Sequence, residues 1–193
     1  MFAPAIYPIR VKDRSIRIMT QHFAIAQLGN PVLRRLAQPV INVEKQAVQT
    51  LIDQLIQTAH ETNGVGIAAP QVSVSDRLFI VASRPNLRYP HAPKMEPTAM
   101  INPSIIRVSG EPVKGWEGCL SVPGIRGLVP RYPMIEVEYT NREGNNHRTI
   151  LTDFVARIFQ HELDHLDGKV FLDRVEETQD LMSEAEYHKQ IIS

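Results

Sequence analysis

Apolar side chains between residues 43 and 60 recur with the three- and four-residue spacing of a helix that buries one face. The apolar positions are Val48, Leu51, Ile52, Leu55, Ile56 and Ala59. Asn42 is a suitable N-cap, and Asn63-Gly64 supplies residues that tolerate the left-handed conformation at a helix end. The pattern therefore predicts a core-facing helix over about 43–60.

Apolar and β-branched runs in the middle of the chain predict short strands. These runs cover residues 77–82, 99–108, 135–139 and 145–150. Four prolines between 83 and 97 predict a loop after the first strand, and residues 141–144 predict a turn before the last one.

A second helix is predicted over about 153–167, with Asp153 as its N-cap and Gly168 just past its end. A short strand at 170–172 and a C-terminal helix from about Glu176 complete the prediction. Because the strands precede one central helix instead of alternating with helices, we expect an α+β fold. Mixed or antiparallel sheets would pack around that central helix, with further helices near both ends.

Composition adds few limits to this picture. The 193 residues include 21 basic and 21 acidic side chains, and 43% of the chain is hydrophobic, which suits one soluble domain with a sizeable core. Zero net charge argues against a dedicated nucleic-acid or membrane-surface binder, and no apolar run is long enough to span a membrane. The single cysteine, Cys119, excludes an intrachain disulfide and is typical of a reducing compartment, so we expect a cytoplasmic protein.

The two ends of the chain differ from its centre. The apolar start contains Pro4 and Pro8 and its charges follow the apolar part, unlike a secretory signal. Two interpretations stay open for residues 1–18: an organellar transit segment, or a start assigned too early, since Met19 opens ordinary domain sequence. We therefore expect an extension over 1–18, a main folded domain over 19–175 and an acidic C-terminal helix over 176–193. That helix is interpreted as a solvated face, with a docking element for a basic partner as the alternative.

The second predicted helix contains the sequence His161-Glu162-Leu163-Asp164-His165. Helical residues four apart are separated by roughly 40° and about 6 Å, so both imidazoles can reach one ion. The histidines and Glu162 fall on the apolar half of the helix, and Arg157, Gln160 and Asp164 fall on the opposite side. Because unpartnered buried polar groups cost several kcal/mol, this arrangement predicts a metal site.

Catalytic metal sites usually have three protein ligands and one open position. The long metalloprotease motif would place a histidine six residues after His165, where this chain has Phe171. Glu184 or Glu186 could serve instead, as in thermolysin-like peptidases. The better candidate is Cys119, because a thiolate is a strong ligand for Fe(II) or Zn(II).

Residues 64–71, with the sequence GVGIAAPQ, form a third segment of interest. The segment follows a helix and lacks the third glycine and the lysine of nucleotide-binding loops, so a phosphate site is not indicated. Its small residues either allow an extended ligand to approach the backbone or pack a tight turn, and both interpretations stay open. Gln71 ends the segment with an amide that can donate to an oxyanion.

Taken together and in this order, GVGIAAPQ, EGCLS and QHELDHLDG resemble the motifs of the peptide deformylases. These hydrolases remove the formyl group from the N-terminal methionine of newly made polypeptides. The resemblance covers residues 25–175 and is greatest with the class whose cysteine motif continues as Ser121-Val122-Pro123-Gly124.

The resemblance implies that Cys119, His161 and His165 hold a metal ion. The native ion would be Fe(II), and Zn(II), Ni(II) or Co(II) could occupy the same site. Glu162 would carry the proton of the attacking water. Gln71 and the backbone N–H of Leu120 would stabilise the oxyanion.

The implied substrate is a nascent peptide beginning with N-formylmethionine, so proximity to the ribosome is expected but direct nucleic-acid or membrane binding is not. The residues expected to bind it are Gly64, Val65, Gly66, Glu117, Gly118, Arg126 and Ile158. Two other functions stay open: a metallopeptidase that uses Glu184 or Glu186 as third ligand, and a structural metal site in a binding module. The substitution Cys119→Ser separates the peptidase from the deformylase.

Overall fold

The first long helix forms close to where the apolar pattern predicts it. In the computed structural model, which describes residues 24–86 and 89–192, helix α1 spans Gln46–Glu61. It begins later than expected because residues 42–45 form a hydrogen-bonded turn instead of a cap at Asn42. Asn63 ends the helix region in the left-handed conformation, with φ of 51°, as predicted. The predicted extension over 1–18 lies outside the described residues.

Five strands form the first sheet, and every neighbouring pair in it is antiparallel. These strands are β1 (Gly66–Ala68), β2 (Leu78–Val81), β3 (Thr98–Ser109), β6 (Met134–Thr140) and β7 (Asn146–Thr152). Their spatial order is β1-β2-β3-β6-β7. The four predicted strands are confirmed as β2, β3, β6 and β7, whereas β1 was not predicted.

A second antiparallel sheet has the order β4-β5-β8. Its strands are β4 (Val113–Cys119), β5 (Val122–Arg131) and β8 (Leu181–Ser183). None of the three was predicted. Strands β4 and β5 form a hairpin with a two-residue turn at Leu120 and Ser121, which places Cys119 opposite Val122 at its tip.

The second long helix, α2, spans Asp153–Leu166, close to its predicted range. The fully buried strand β2 separates the two main helices, because its alternate residues face opposite layers. Leu78 and Ile80 pack in the cluster that includes α1, and Phe79 packs against Phe159 of α2 with ring centroids 5.1 Å apart. The described residues thus form an α+β fold around α2, as expected.

Two predictions for the C-terminal part are wrong. The expected strand at 170–172 is a short 3-10 helix over Phe171–Arg174. The helix expected from Glu176 begins only at Glu184, where α3 spans Glu184–Tyr187 and a π-helical turn follows over His188–Ile192. Between these points, Thr178–Asp180 form a 3-10 helix and Leu181–Ser183 pair as β8 with Ile125–Gly127 of β5. This pairing gives the edge of β5 backbone hydrogen bonds that a helix at 181–183 could not supply. Within the described ranges, no helix is both long and apolar enough to cross a bilayer.

Candidate metal centre

Three predicted ligands meet at the end of β4 and on the inner face of α2. The donor atoms of Cys119, His161 and His165 all lie within 4.8 Å of one another, and they form the one cluster of this kind found in the described residues. The Cys119 Sγ and the His165 Nε2 are 3.2 Å apart. Helical spacing brings the two histidines to the same face, and the hairpin turn brings the cysteine to them.

Glu184 and Glu186, the alternative third ligands, are engaged elsewhere. Glu184 accepts a hydrogen bond from Arg126 at 2.7 Å, and Glu186 pairs with Lys189 at 2.7 Å. Neither belongs to the ligand cluster, so the arrangement expected of a thermolysin-like site is not the one that the fold assembles.

The donor set fits a divalent transition metal. The Nδ1 of His161 is bound to the Glu117 carboxylate at 2.8 Å, which leaves its Nε2 as the donor atom. Across residues 24–86 and 89–192, the buried side-chain atoms without a hydrogen-bond partner are Glu162 Oε2 and His165 Nδ1, and both belong to this centre. One sulfur and two imidazole nitrogens suit Fe(II) and Zn(II) alike.

The electrostatics of the centre favour the ligand form of the cysteine. Burial opposes the thiolate, but electrostatic attraction to His165 and hydrogen bonds with His161 and His165 outweigh it and hold the pKa of Cys119 well below its ordinary value. Burial likewise disfavours a charged His161, yet hydrogen bonds with Cys119 and Glu117 raise its pKa well above the usual value. Cys119 is therefore poised as a thiolate, the form that binds metals.

Glu162 lies beside this cluster and faces the segment that follows α1. Burial raises the pKa of Glu162 to about 7, and the nearby histidines only partly offset that effect. A side chain on Gly66 would overlap with the Glu162 carboxylate, so the absence of a Cβ there lets the backbone of β1 approach Glu162 closely. A carboxyl group with this pKa can exchange a proton near neutral pH.

Gln71 is held with its amide nitrogen toward the cysteine. Its Oε1 accepts from the backbone N–H of Ala68 at 2.9 Å, and its Nε2 lies 3.2 Å from the Ser121 Oγ and 3.4 Å from the Cys119 Sγ. The residue as a whole is only 2% exposed. This fixed orientation presents a donor beside the ligand cluster.

A cleft opens onto the centre, and most of the predicted substrate-binding residues line it. These are Gly64, Val65, Gly66, Glu117, Gly118 and Ile158, together with Gln71 and Leu120. The cleft also has an aromatic part that sequence reasoning missed, formed by Tyr89, Trp116 and Phe154. Tyr89 comes from the proline-rich loop and packs on Phe154 with centroids 4.9 Å apart, a contact for which the local sequence carries no signal.

Arg126 does not lie among the residues that line this cleft. Its side chain is 2% exposed and binds Glu184 at 2.7 Å and the Tyr89 hydroxyl at 3.2 Å, with the Tyr187 ring 5.0 Å away. These contacts join the C-terminal segment to the proline-rich loop. Direct contact between Arg126 and a substrate stays a prediction.

The structure also contains a buried ion-pair network next to the candidate metal ligands, which the sequence analysis did not predict. Arg131 binds Glu117 at 2.9 Å and Asp164 at 2.6 Å, and Arg174 binds Asp164 at 2.6 Å. Asp164 lies on the helix side away from the metal ligands, as predicted, but β5 covers that side. The local sequence carries no clear signal for this network, because the helical pattern places Asp164 on the polar half of the helix, where water would ordinarily solvate a carboxylate.

Comparisons with known proteins agree with this architecture. Residues 22–180 match a family model described as polypeptide deformylase. Peptide deformylase 2 of Nostoc sp. is 66% identical over 165 residues, which cover 86% of this chain and 92% of that protein. Peptide deformylase 2 of Shewanella oneidensis is 45% identical and covers 84% of this chain and 90% of its own length.

Solved structures of peptide deformylases also superpose on this chain. The Met-Ala-Ser-bound class I type b peptide deformylase of Acinetobacter baumannii superposes with a TM-score of 0.79 at 46% identity, over 81% of this chain and 100% of that one. The peptide deformylase of Thermotoga maritima gives a TM-score of 0.72 at 36% identity, over 80% of this chain and 98% of that one.

Proposed function

The chain belongs to the polypeptide deformylase family, and from this membership we propose how its individual residues divide the work of removing formyl groups from the N-formylmethionine of new polypeptides. The observation that carries the assignment is the convergence of Cys119, His161 and His165 beside Glu162, at the base of one cleft. Cys119, His161 and His165 hold the metal ion. When bound there, a divalent metal supplies Lewis acidity that lowers the pKa of water and polarises the formyl oxygen.

Glu162 moves the proton in this reaction. Its carboxylate takes a proton from water as the water oxygen forms a bond to the formyl carbon. The C–N bond then breaks, Glu162 returns the proton to the leaving amine, and formate is released. The burial of Glu162 and its pKa of about 7 suit a group that must alternate between both protonation states.

Gln71 and the Leu120 backbone N–H stabilise the oxygen of the tetrahedral formyl carbon. The orientation of the Gln71 amide supports this role, because its oxygen is already bound to Ala68 N and its nitrogen faces the centre. Leu120 lies in the hairpin turn and lines the same cleft. Donors held in advance in a buried site stabilise developing charge without reorganising.

The substrate lies extended along Gly64, Val65 and Gly66, with Glu117 and Gly118 on the opposite wall. Its methionine side chain enters the apolar part of the cleft near Ile158 and Phe154. The relative from Acinetobacter baumannii bound to Met-Ala-Ser supports this class of ligand. Pairing through the peptide backbone would leave later positions permissive, as an enzyme of many nascent chains requires.

Iron is proposed as the native metal, with Zn(II), Ni(II) or Co(II) able to replace it, on the strength of the family resemblance. A cytoplasmic location near the ribosome is proposed on the nature of the substrate. Metal analysis of protein purified without oxygen tests the first point: iron in near-equimolar amount supports it, and zinc alone with full activity contradicts it.

The ligand assignment is tested by metal content in two variants, each compared with the unaltered protein. Cys119→Ser should lose at least about tenfold in metal affinity, because a neutral hydroxyl replaces the thiolate. Glu184→Gln is the matched control, and it should bind metal normally. Normal binding by Cys119→Ser together with loss in Glu184→Gln would instead support the metallopeptidase arrangement.

A further inference from the structure

Arg157 joins the helix of the histidine ligands to the hairpin of the cysteine ligand. It lies on α2 one turn before His161, and its side chain is 15% exposed. Its guanidinium donates to three backbone carbonyls of the hairpin: Val113 at 2.6 Å, Val129 at 2.8 Å and Gly115 at 3.3 Å. One side chain therefore ties α2 to both β4 and β5.

The hairpin leaves room for this guanidinium at Gly115, which has no side chain. A Cβ placed on Gly115 would stand 2.7 Å from the Arg157 Nη2 and 2.8 Å from its Cζ. Contacts this short do not occur at real Cβ atoms, so a side chain at residue 115 would force the Arg157 guanidinium to shift from its observed position. Four residues further along the same strand is Cys119.

Arg157 also reaches the residue that orients His161. Its Nη1 donates to the Glu117 Oε1 at 3.0 Å, while the Glu117 Oε2 is bound to the His161 Nδ1 at 2.8 Å. Partners that hold the second nitrogen of a ligating histidine set its ring orientation and its affinity for metal. Arg157 is thus connected to the cysteine through the strand and to a histidine through Glu117.

We propose that Arg157 is a positioning residue that sets the spacing between Cys119 and the two histidines, and with it the affinity of the site for metal. The proposal rests on the proposed metal site. Arg157 touches neither donor atom directly; it acts through the hairpin backbone and through Glu117. Arg131 also holds Glu117, but the bonds to the Val113, Gly115 and Val129 carbonyls belong to Arg157.

The test measures Zn(II) affinity of the full chain by competition with a chromophoric chelator under reducing conditions. Arg157→Met and Gly115→Ala should each weaken Zn(II) binding about tenfold or more, the scale typical of lost partners behind metal ligands. Gly115→Ala keeps the arginine but adds a methyl group where its guanidinium lies, so it tests the proposal even if Arg157→Met folds poorly. The absorption spectrum of the Co(II)-loaded variants should shift as well, since it reports ligand geometry.

Gln160→Met is the matched control. Gln160 lies on the same helix and ties it to the backbone N–H and carbonyl of Tyr132, at 3.1 and 2.9 Å, without touching Glu117. Its loss should lower the melting temperature but leave Zn(II) affinity within twofold. Affinities within twofold of the unaltered protein in both Arg157→Met and Gly115→Ala, or an equal loss in Gln160→Met, would overturn the proposal. Absence of Zn(II) binding by the unaltered protein would instead contradict the metal site itself.

Discussion

At the scale of single residues, the orientation and pKa of the side chains in the candidate metal centre depend on their contacts with the rest of the fold. Gln71 stands out in the sequence because an amide can donate to an oxyanion, but the sequence does not indicate which end of the amide faces the cysteine. The backbone N–H of Ala68 decides this by binding the Oε1. Glu162 is similar: the motif identifies the residue, whereas its pKa of about 7 depends on burial that only the assembled fold provides.

The substitution Gln71→Met tests the oxyanion role. It keeps most of the side-chain volume and removes the donor, so kcat should fall about 10²- to 10³-fold, the usual effect of losing one such group. Steady-state kinetics with a formyl-methionyl peptide measures kcat, and metal analysis checks that the ion is retained. Gln38→Met, at an exposed glutamine, is the control and should leave kcat unchanged. A fall in kcat of less than threefold in Gln71→Met would contradict the proposal that Gln71 stabilises the oxyanion.

Among the secondary-structure elements, the two long helices and four of the five strands of the first sheet were predictable, whereas the second sheet and the C-terminal helix were not. Strand β2 is entirely apolar, and β6 alternates apolar residues with Glu136 and Glu138, and both are patterns that strand prediction detects. Strand β4 contains two glycines and two charged residues in seven positions. A Cβ at Gly115 would overlap with the Arg157 side chain, and one at Gly118 would overlap with Arg126, so the glycines of β4 fit contacts with residues that are distant in the sequence.

Helix α2 was expected to bury one half, yet it is covered on the other half too. Asp164 there is almost fully buried, between Arg131 and Arg174. The guanidinium groups outweigh the effect of burial and hold the pKa of Asp164 below its ordinary value. The carboxylate is therefore charged and paired in the folded protein.

We predict that Asp164→Asn lowers the free energy of unfolding by about 3–5 kcal/mol, because it leaves the buried Arg131 without one of its two partners. Urea denaturation of the metal-loaded protein measures this. Asp167→Asn, one residue past the helix, is the control: Asp167 pairs with Arg77 at 2.8 Å in a more exposed position, and its loss should change stability by no more than about 1 kcal/mol. Equal effects of the two substitutions would show that the buried network does not stabilise α2.

The whole molecule places its chemistry where three separate parts of the chain meet. The segment after α1 supplies Gln71 and the glycine-rich wall, the β4–β5 hairpin supplies Cys119, and α2 supplies the histidines and Glu162. The motifs could be recognised individually because each is local in sequence. Their arrangement could not, because it depends on the second sheet, whose third strand comes from the C-terminal part of the chain.

The most direct test of the proposed division of work is formate release from an N-formylmethionyl dipeptide by protein purified anaerobically with Fe(II). The unaltered protein should release formate rapidly, while Glu162→Ala should lose at least about 10²-fold in kcat with its metal retained, and Cys119→Ser should lose activity together with its metal. Full activity in Glu162→Ala would contradict the role of Glu162 as proton carrier, and full activity in Cys119→Ser would contradict the role of Cys119 as third ligand.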